Sequence, residues 1–246
     1  MAKGSRGGQR GAGGGAIADT TLAATPMGTE YTSFMQMSDD EKADMIDRLA
    51  NQDIPAHLAD NAFQKFIYNS QMNDKPQLVD DATLDSMNGT EMFRTVNNVY
   101  DSRNDLGYSA TEIAKQVQTG SITRVSDNGG SVYGRGIYFA DNYRDSTVMY
   151  GMTTGNVKKT AVMRAKLNSN AKIINHSTAE SGVKAEIAKG SKLGQALSKV
   201  DYASQVSLYA LSKGYNVISN GRNYLNVLNR NAITMSKDVR AKGQGW

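Results

Sequence analysis

The stretch YGRGIYFADNYRDSTVMYG, residues 133–151, limits what this chain can fold into more than any other part of it. Two glycines flank Arg135, four apolar or aromatic residues follow, and a polar helical turn comes at once after them. Gly134 and Gly136 let the backbone come close to a ligand, and Arg135 between them brings charge suited to a phosphate. Alternation along IYFA predicts Ile137 and Phe139 facing a core, with Tyr138 and Ala140 on the other side. That leaves the Tyr138 ring available for stacking. Asp141 is the expected cap of the helix and Gly151 its stop. Ser146 and Tyr150 are spaced i, i+4 and share one helix face. Tyrosines on a strand and on the helix after it can sandwich a planar ligand, or simply pack against each other.

The segments around this stretch predict an α+β domain with a mixed or antiparallel sheet. Strand-like runs occur at TEMFRTVNNV, KKTAVMRAKL, AKIIN, YNVIS, NYLNVLN and AITMS. Helices are interspersed without βαβ regularity. SATEIAKQVQTG carries a Ser109/Glu112 capping box and a stop at Gly120, and residues 177–213 read as mainly helical. Upstream, SDDEKADMIDRLANQ opens with a Ser38/Glu41 capping box, and Ala43, Ile46 and Leu49 recur at helical spacing. Pro55 suits the first turn of a second helix with Leu58, Ala62, Phe63, Phe66 and Ile67 on one face, and DDATLDSM adds a short third. The expected organisation is a glycine-rich basic tail (1–24), a helical subdomain (25–87), an α+β domain (88–236) and a C-terminal tail (237–246).

Composition narrows the function classes. A chain of 246 residues, 39% hydrophobic and 21% charged, can build a well-buried core. It has no apolar run of membrane-spanning length, and its basic N-terminus lacks the apolar segment of a secretory signal. With no cysteine and two histidines it offers no credible metal site. His57 reads as a helix-surface residue and His176 as a loop residue that could reach a cleft mouth. A net charge of +4 suits an acidic partner, but Lys and Arg are scattered rather than interleaved with exposed aromatics, as a nucleic-acid binder requires. Lys3, Arg6 and Arg10 lie in a tail too poor in apolar residues to order itself.

The run GRGIYFADNYRDS resembles the strand–helix signature of ADP-ribosyltransferases in the diphtheria-toxin and poly(ADP-ribose) polymerase branch. The likeness is concentrated at 133–151 and extends diffusely over residues 88–235. Arg94, in MFRTV, resembles the first-strand arginine of the other large branch, and Thr95 stands where the histidine branch has glycine. The chain therefore combines features of both. The resemblance implies an ADP-ribosyltransferase-like fold using NAD as co-substrate, without a metal. Arg94 would hold the pyrophosphate or the nicotinamide ribose, Tyr138 would stack on nicotinamide, and Ser146 would bond its carboxamide. Tyr150 or Met149 would supply the second stacking surface. Thr95, Gly134, Arg135, Gly136, Phe139 and Ala140 would complete the NAD-binding surface.

One expected residue is missing. Active members place a glutamate at the start of a late strand, where it faces the positive charge developing on the ribose. Tyr224 occupies that place, and no acidic residue lies between Asp201 and Asp238. Glu180 and Glu186 are the nearest alternatives and read as surface charges. Two expectations follow. One is a mono-ADP-ribosyltransferase that passes ADP-ribose to a protein side chain or water, with Arg94, Tyr138, Ser146 and Tyr224 at its centre. The other is a degenerate transferase fold with a structural role. The chain also resembles transferase-like proteins encoded beside bacteriophage head genes. That implies a host-cell cytoplasmic effector or a virion component, whose basic tail meets packaged DNA or a capsid partner.

Overall fold

The computed structural model describes residues 37–51, 76–97, 99–101, 106–119, 136–151, 160–221 and 223–241. They form an α+β architecture around a mixed sheet of nine strands. In chain order the strands are β1 (Gln77–Val79), β2 (Glu91–Asn97), β5 (Ile137–Ala140), β6 (Thr160–Leu167), β7 (Ile173–Asn175), β8 (Val217–Ser219), β9 (Tyr224–Val227), β10 (Ile233–Ser236) and β11 (Arg240–Ala241). A separate antiparallel pair, β3 (Val99–Asp101) and β4 (Leu106–Tyr108), follows β2. The order across the sheet is β1-β10-β6-β2-β5-β9-β8-β7, and β11 also pairs with β6. The β1/β10 and β7/β8 pairs are parallel and the rest are antiparallel.

The helices are α1 (Asp39–Ala50), α2 (Asp81–Ser86), α3 (Ala110–Thr119), α4 (Tyr143–Gly151), α5 (His176–Lys189), α6 (Lys192–Leu197) and α7 (Tyr202–Ser212). Their starts follow local chemistry. Ser38 and Glu41 form a reciprocal capping box on α1, and Ser109 and Glu112 make the same bonds at α3. Asp80, Asn175, Ser191 and Asp201 cap α2, α5, α6 and α7. Gly190, at φ 68°, closes α5 in the left-handed conformation that glycine adopts without strain.

Two cores flank the sheet. On one face, Met92, Val96, Ile137, Phe139, Met163 and Val227 pack under α3 through Ala110, Ala114 and Val117. On the other, Ile174 and Ile218 at the β7–β8 end are covered by α1 and α5–α7, with Ile46, Leu197, Leu208 and Leu211 filling the layer. Close helix approach fixes this second layer. A Cβ on Gly194 would lie 2.1 Å from the Glu186 carbonyl oxygen, so α6 can meet α5 only through glycine.

Two of the three expected boundaries, 87/88 and 236/237, fall between strands of this sheet, and the third, 24/25, lies outside the described residues. β1, within the segment read as helical, pairs Gln77↔Thr234 through Val79↔Ser236 with β10. Asp85 and Glu91 both bridge Arg164, tying α2 to β6. β11, within the segment read as a tail, pairs Arg240↔Val162, and Arg240 Nη2 donates to Asp81 Oδ2 at 2.6 Å. Helix α1 is likewise docked onto α6 and α7. Its Lys42 Nζ donates to the Ser212 carbonyl at 2.8 Å, and Asp44 and Asp47 pair with Lys192 and Lys199. The expected second helix from Pro55, with His57, and the tail 1–24 lie outside the described residues. No helix among the described residues is long and apolar enough to cross a membrane.

Candidate functional site

The site begins where the sheet comes apart. β2 is paired with β6 along its whole length, from Glu91↔Lys166 to Asn97↔Thr160. β5 is paired with β9 along its own, from Ile137↔Val227 to Ala140↔Tyr224. β2 and β5 share one register pair, Phe93↔Ala140. At the next residue of β2 a side chain takes over from the backbone, and Arg94 Nη1 donates to the Tyr138 carbonyl at 2.8 Å. A charged donor makes a stronger bond than a peptide N–H, so the guanidinium braces the two halves of the sheet.

Register then fixes which side chains share a face, because directly opposed residues on antiparallel strands point the same way. Phe93, Ala140 and Tyr224 are opposed in turn across β2, β5 and β9. Tyr138, two residues before Ala140, shares their face and is opposed to Asn226. Arg94 is opposed to Met163, a member of the core under α3. Arg94 therefore starts from the α3 face, whereas Tyr138 and Tyr224 stand on the α4 face. Arg94 meets the backbone of Tyr138, and the side chain of Tyr150, the expected second stacking ring, lies outside the described residues.

On the α4 face, Tyr143 sets its ring edge-on to Phe93, with centroids 5.9 Å apart. One turn later Ser146 Oγ lies 2.9 Å from Thr95 Oγ1, and the two residues are 0% and 1% exposed. The expected carboxamide ligand is thus sealed against β2 by its neighbour's hydroxyl. The start of α4 also differs from expectation. Asn142, not Asp141, caps it: the Asp145 N–H donates to Asn142 Oδ1 at 2.8 Å, and the Asn142 amide group in turn donates to Asp141 Oδ1. The helix begins at Tyr143, so Asn142 is the residue in the cap position, and its amide accepts from Asp145 while donating to Asp141.

Asp145 Oδ2 accepts from the amides of Asn142 at 2.9 Å and Asn223 at 2.5 Å, and the Asp141 N–H donates to the Asn223 carbonyl at 3.0 Å. These bonds stitch α4 to the residue before β9. Hydrogen bonds from Asn142 and then Asn223 hold the Asp145 carboxyl below the usual aspartate range. Asp145→Ala is therefore expected to lower the urea midpoint at pH 7, and the gap to wild type to narrow in acid. A carboxyl with a lowered folded-state pKa stabilises fully above its ordinary value, about 3.9, and loses this as pH falls through the lower one. Urea titrations at pH 7 and about pH 3 check it, and a gap that stays constant would assign the loss to something other than the carboxylate.

The remaining sequence-derived positions divide clearly. Tyr224 opens β9, half-buried, with its N–H on Asn220 Oδ1 at 3.2 Å. Ala140 is buried between Phe93 and Tyr224. Phe139 belongs to the core under α3, so its ring is not part of a ligand surface on the Tyr138 face. Gly136 is required for a different reason than expected: a Cβ there would lie 1.9 Å from Asn226 Oδ1, so what approaches it is β9. Gly134, Arg135 and the side chains of Met149 and Tyr150 lie outside the described residues. Glu180 pairs with Lys184 along α5 at 2.7 Å, and Glu186 accepts from Ser191 and pairs with Lys213. His176 Nε2 lies 3.3 Å from Tyr202 Oη at the α5–α7 surface.

Sequence reasoning missed Asn142, Asp145, Asn223 and Asn226. The Asn142–Asp145 spacing is itself a capping pattern that could have been found. An asparagine inside the apolar run of β9 is a second such signal. Chemically, the site offers a guanidinium at the sheet opening, a half-buried tyrosine on each of two adjoining strands and a sealed hydroxyl pair. β9 itself (YLNV) carries no carboxylate. Among the described residues no group of three or more His, Asp or Glu is arranged to hold a metal ion. Compared with known protein families, curated proteins and solved structures, the chain matches none.

Proposed function

We propose that this protein binds NAD at the opening between β2 and β5 and cleaves its nicotinamide–ribose bond, passing a single ADP-ribose to a protein side chain or water. The observation that carries the reading is the bond of Arg94 to the Tyr138 backbone where β2 and β5 stop pairing, with the adjacent Thr95 meeting Ser146 on the other face of β2. Segments far apart in sequence, each bearing a residue that the ADP-ribosyltransferase resemblance implicates, come together there. A guanidinium is a planar fork whose geometry suits phosphate oxygens.

In the reaction the bond between ribose C1′ and the pyridinium nitrogen breaks, and its electron pair leaves with neutral nicotinamide. Positive charge passes to C1′–O4′ until a lone pair of the acceptor forms the new bond at C1′; a carboxylate acceptor neutralises that charge directly, whereas water or a hydroxyl gives its proton to solvent. Tyr224 can donate a hydrogen bond to a ribose hydroxyl, but a phenol with a pKa near 10 supplies no negative charge at neutral pH. Negative charge for the ribose comes best from an acidic acceptor. This favours transfer of one unit over chain extension.

A second reading rests on a separate observation. The sealing of Ser146 under Thr95, with no carboxylate along β9, fits a transferase fold that has kept its scaffold and lost its chemistry. A virion component whose basic tail contacts DNA or capsid is that alternative. Nicotinamide release from NAD at high protein concentration decides between them. The enzyme reading expects release well above an Arg94→Ala/Tyr138→Ala double variant, and equal traces from both proteins would leave only the structural role.

A further inference from the structure

Ser146 sits on the inner face of α4 and makes its side-chain bond not to a carbonyl of its own helix, the usual recourse of a helical serine, but to Thr95 across the layer. Thr95 belongs to β2, between Arg94 and Val96, and is opposed to Val162 of β6. Its β-branched side chain has few rotamers, and one holds Oγ1 at 2.9 Å from Ser146 Oγ. Both residues are closed to solvent. A carboxamide bound at Ser146 needs a donor and an acceptor in the space that the Thr95 γ-atoms fill.

We propose that Thr95 is a specificity-determining residue of this site, its γ-atoms occupying the place where an aromatic carboxamide would meet Ser146. This rests on the NAD reading and says which residue limits how well the nicotinamide end is held. Wild type admits the ring only by breaking the Thr95–Ser146 bond and turning Thr95 away. The small cavity left by a shorter residue accepts the carboxamide directly. The ADP end of the substrate is held independently of Thr95.

Three substitutions separate space from hydrogen bonding. Thr95→Ala removes both γ-atoms, Thr95→Ser keeps the hydroxyl without the methyl, and Thr95→Val keeps the volume without the hydroxyl. Titration calorimetry of nicotinamide, NAD and ADP-ribose into the full chain, with urea unfolding of each variant, reads the outcome. Thr95→Ala is expected to bind nicotinamide and NAD about tenfold more tightly than wild type, the scale set by one or two atoms in a fitted pocket. Thr95→Ser should fall between the two, Thr95→Val should gain nothing, and ADP-ribose should bind all four proteins alike. This order differs from the order of stability, in which Ala, leaving a void, is worst. If Thr95→Ala does not fold, the Ser and Val variants carry the comparison. Equal NAD affinity across the series, with binding lost in Arg94→Ala, overturns the role of Thr95 and leaves the NAD reading standing. Absence of binding to wild type and to every variant overturns both.

Discussion

If the protein cleaves NAD as proposed, exchanging Arg94 for lysine is expected to slow nicotinamide release by about 100-fold, the scale for removing one well-placed donor from a developing charge. The charge is conserved in this exchange, so the loss has to come from geometry. Arg94 already commits Nη1 to the Tyr138 carbonyl, at the point where β2 and β5 stop pairing through their backbones. A planar fork holds its donors in a fixed orientation that matches phosphate oxygens. An ammonium is a single point on a flexible stem. If it reaches Tyr138 it leaves the substrate, and if it reaches the substrate it leaves a carbonyl of β5 without its donor. Losing a hydrogen bond to a charged group costs about 1.5–3 kcal/mol, nearer the low end for a half-buried side chain. The lysine variant should therefore lose far more activity than stability, and Arg94→Ala should lose both. Release kinetics beside urea midpoints check this. Release unchanged in Arg94→Lys would remove Arg94 from the site and leave it a purely structural brace.

Much of this architecture was legible because it is written in short-range chemistry. The Ser38–Glu41 and Ser109–Glu112 pairs each announce a helix start through two reciprocal bonds within four residues, and both helices begin there. The burial of Ile137 and Phe139 follows from a two-residue period that needs no knowledge of the partner strand. What failed to show itself depends on distant pairing. β1 and β11 are edge strands of three and two residues, too short for any alternation, and they exist because β10 and β6 offer them partners. The site divides in the same way. That Arg94 and Thr95 must face opposite sides of β2 was readable from adjacency alone. Which of them faces α4 was not, because that depends on pairing with β6, some seventy residues downstream in the chain. Ser146 was found by motif, yet its bond to Thr95 arises only once α4 lies over β2. Gly136 was found too, but the cause of its smallness, the Asn226 side chain, is visible only with β9 in register.

Arg230 carries the largest expected effect on stability. It sits in the 3-10 turn Arg230–Ala232 between β9 and β10, and its side chain is 0% exposed. Nη1 donates to the Val117 carbonyl at 2.8 Å. Val117 lies in the last turn of α3, whose final carbonyls have no partner within the helix and form the negative end of its dipole. The guanidinium therefore closes a helix end from inside the protein. Beside it, Gln118 Nε2 donates to the Ser236 carbonyl at 2.7 Å and ties the same turn of α3 to β10. Removing the side chain in Arg230→Ala leaves an unmet carbonyl and a large void, and the expected loss is about 3–5 kcal/mol. Methionine keeps most of the stem volume and avoids burying a charge, so Arg230→Met should lose less, about 1–3 kcal/mol. Urea unfolding should show a lowered midpoint with an unchanged slope in both variants, because the unfolded chain and the buried area are nearly the same. Hydrogen exchange adds the local reading: amides in the last turn of α3 should lose protection before those of α5 to α7, which pack in the other core. A methionine variant as stable as wild type, with α3 amides still protected, would show that packing alone fixes that helix end and that the buried cation contributes nothing to it.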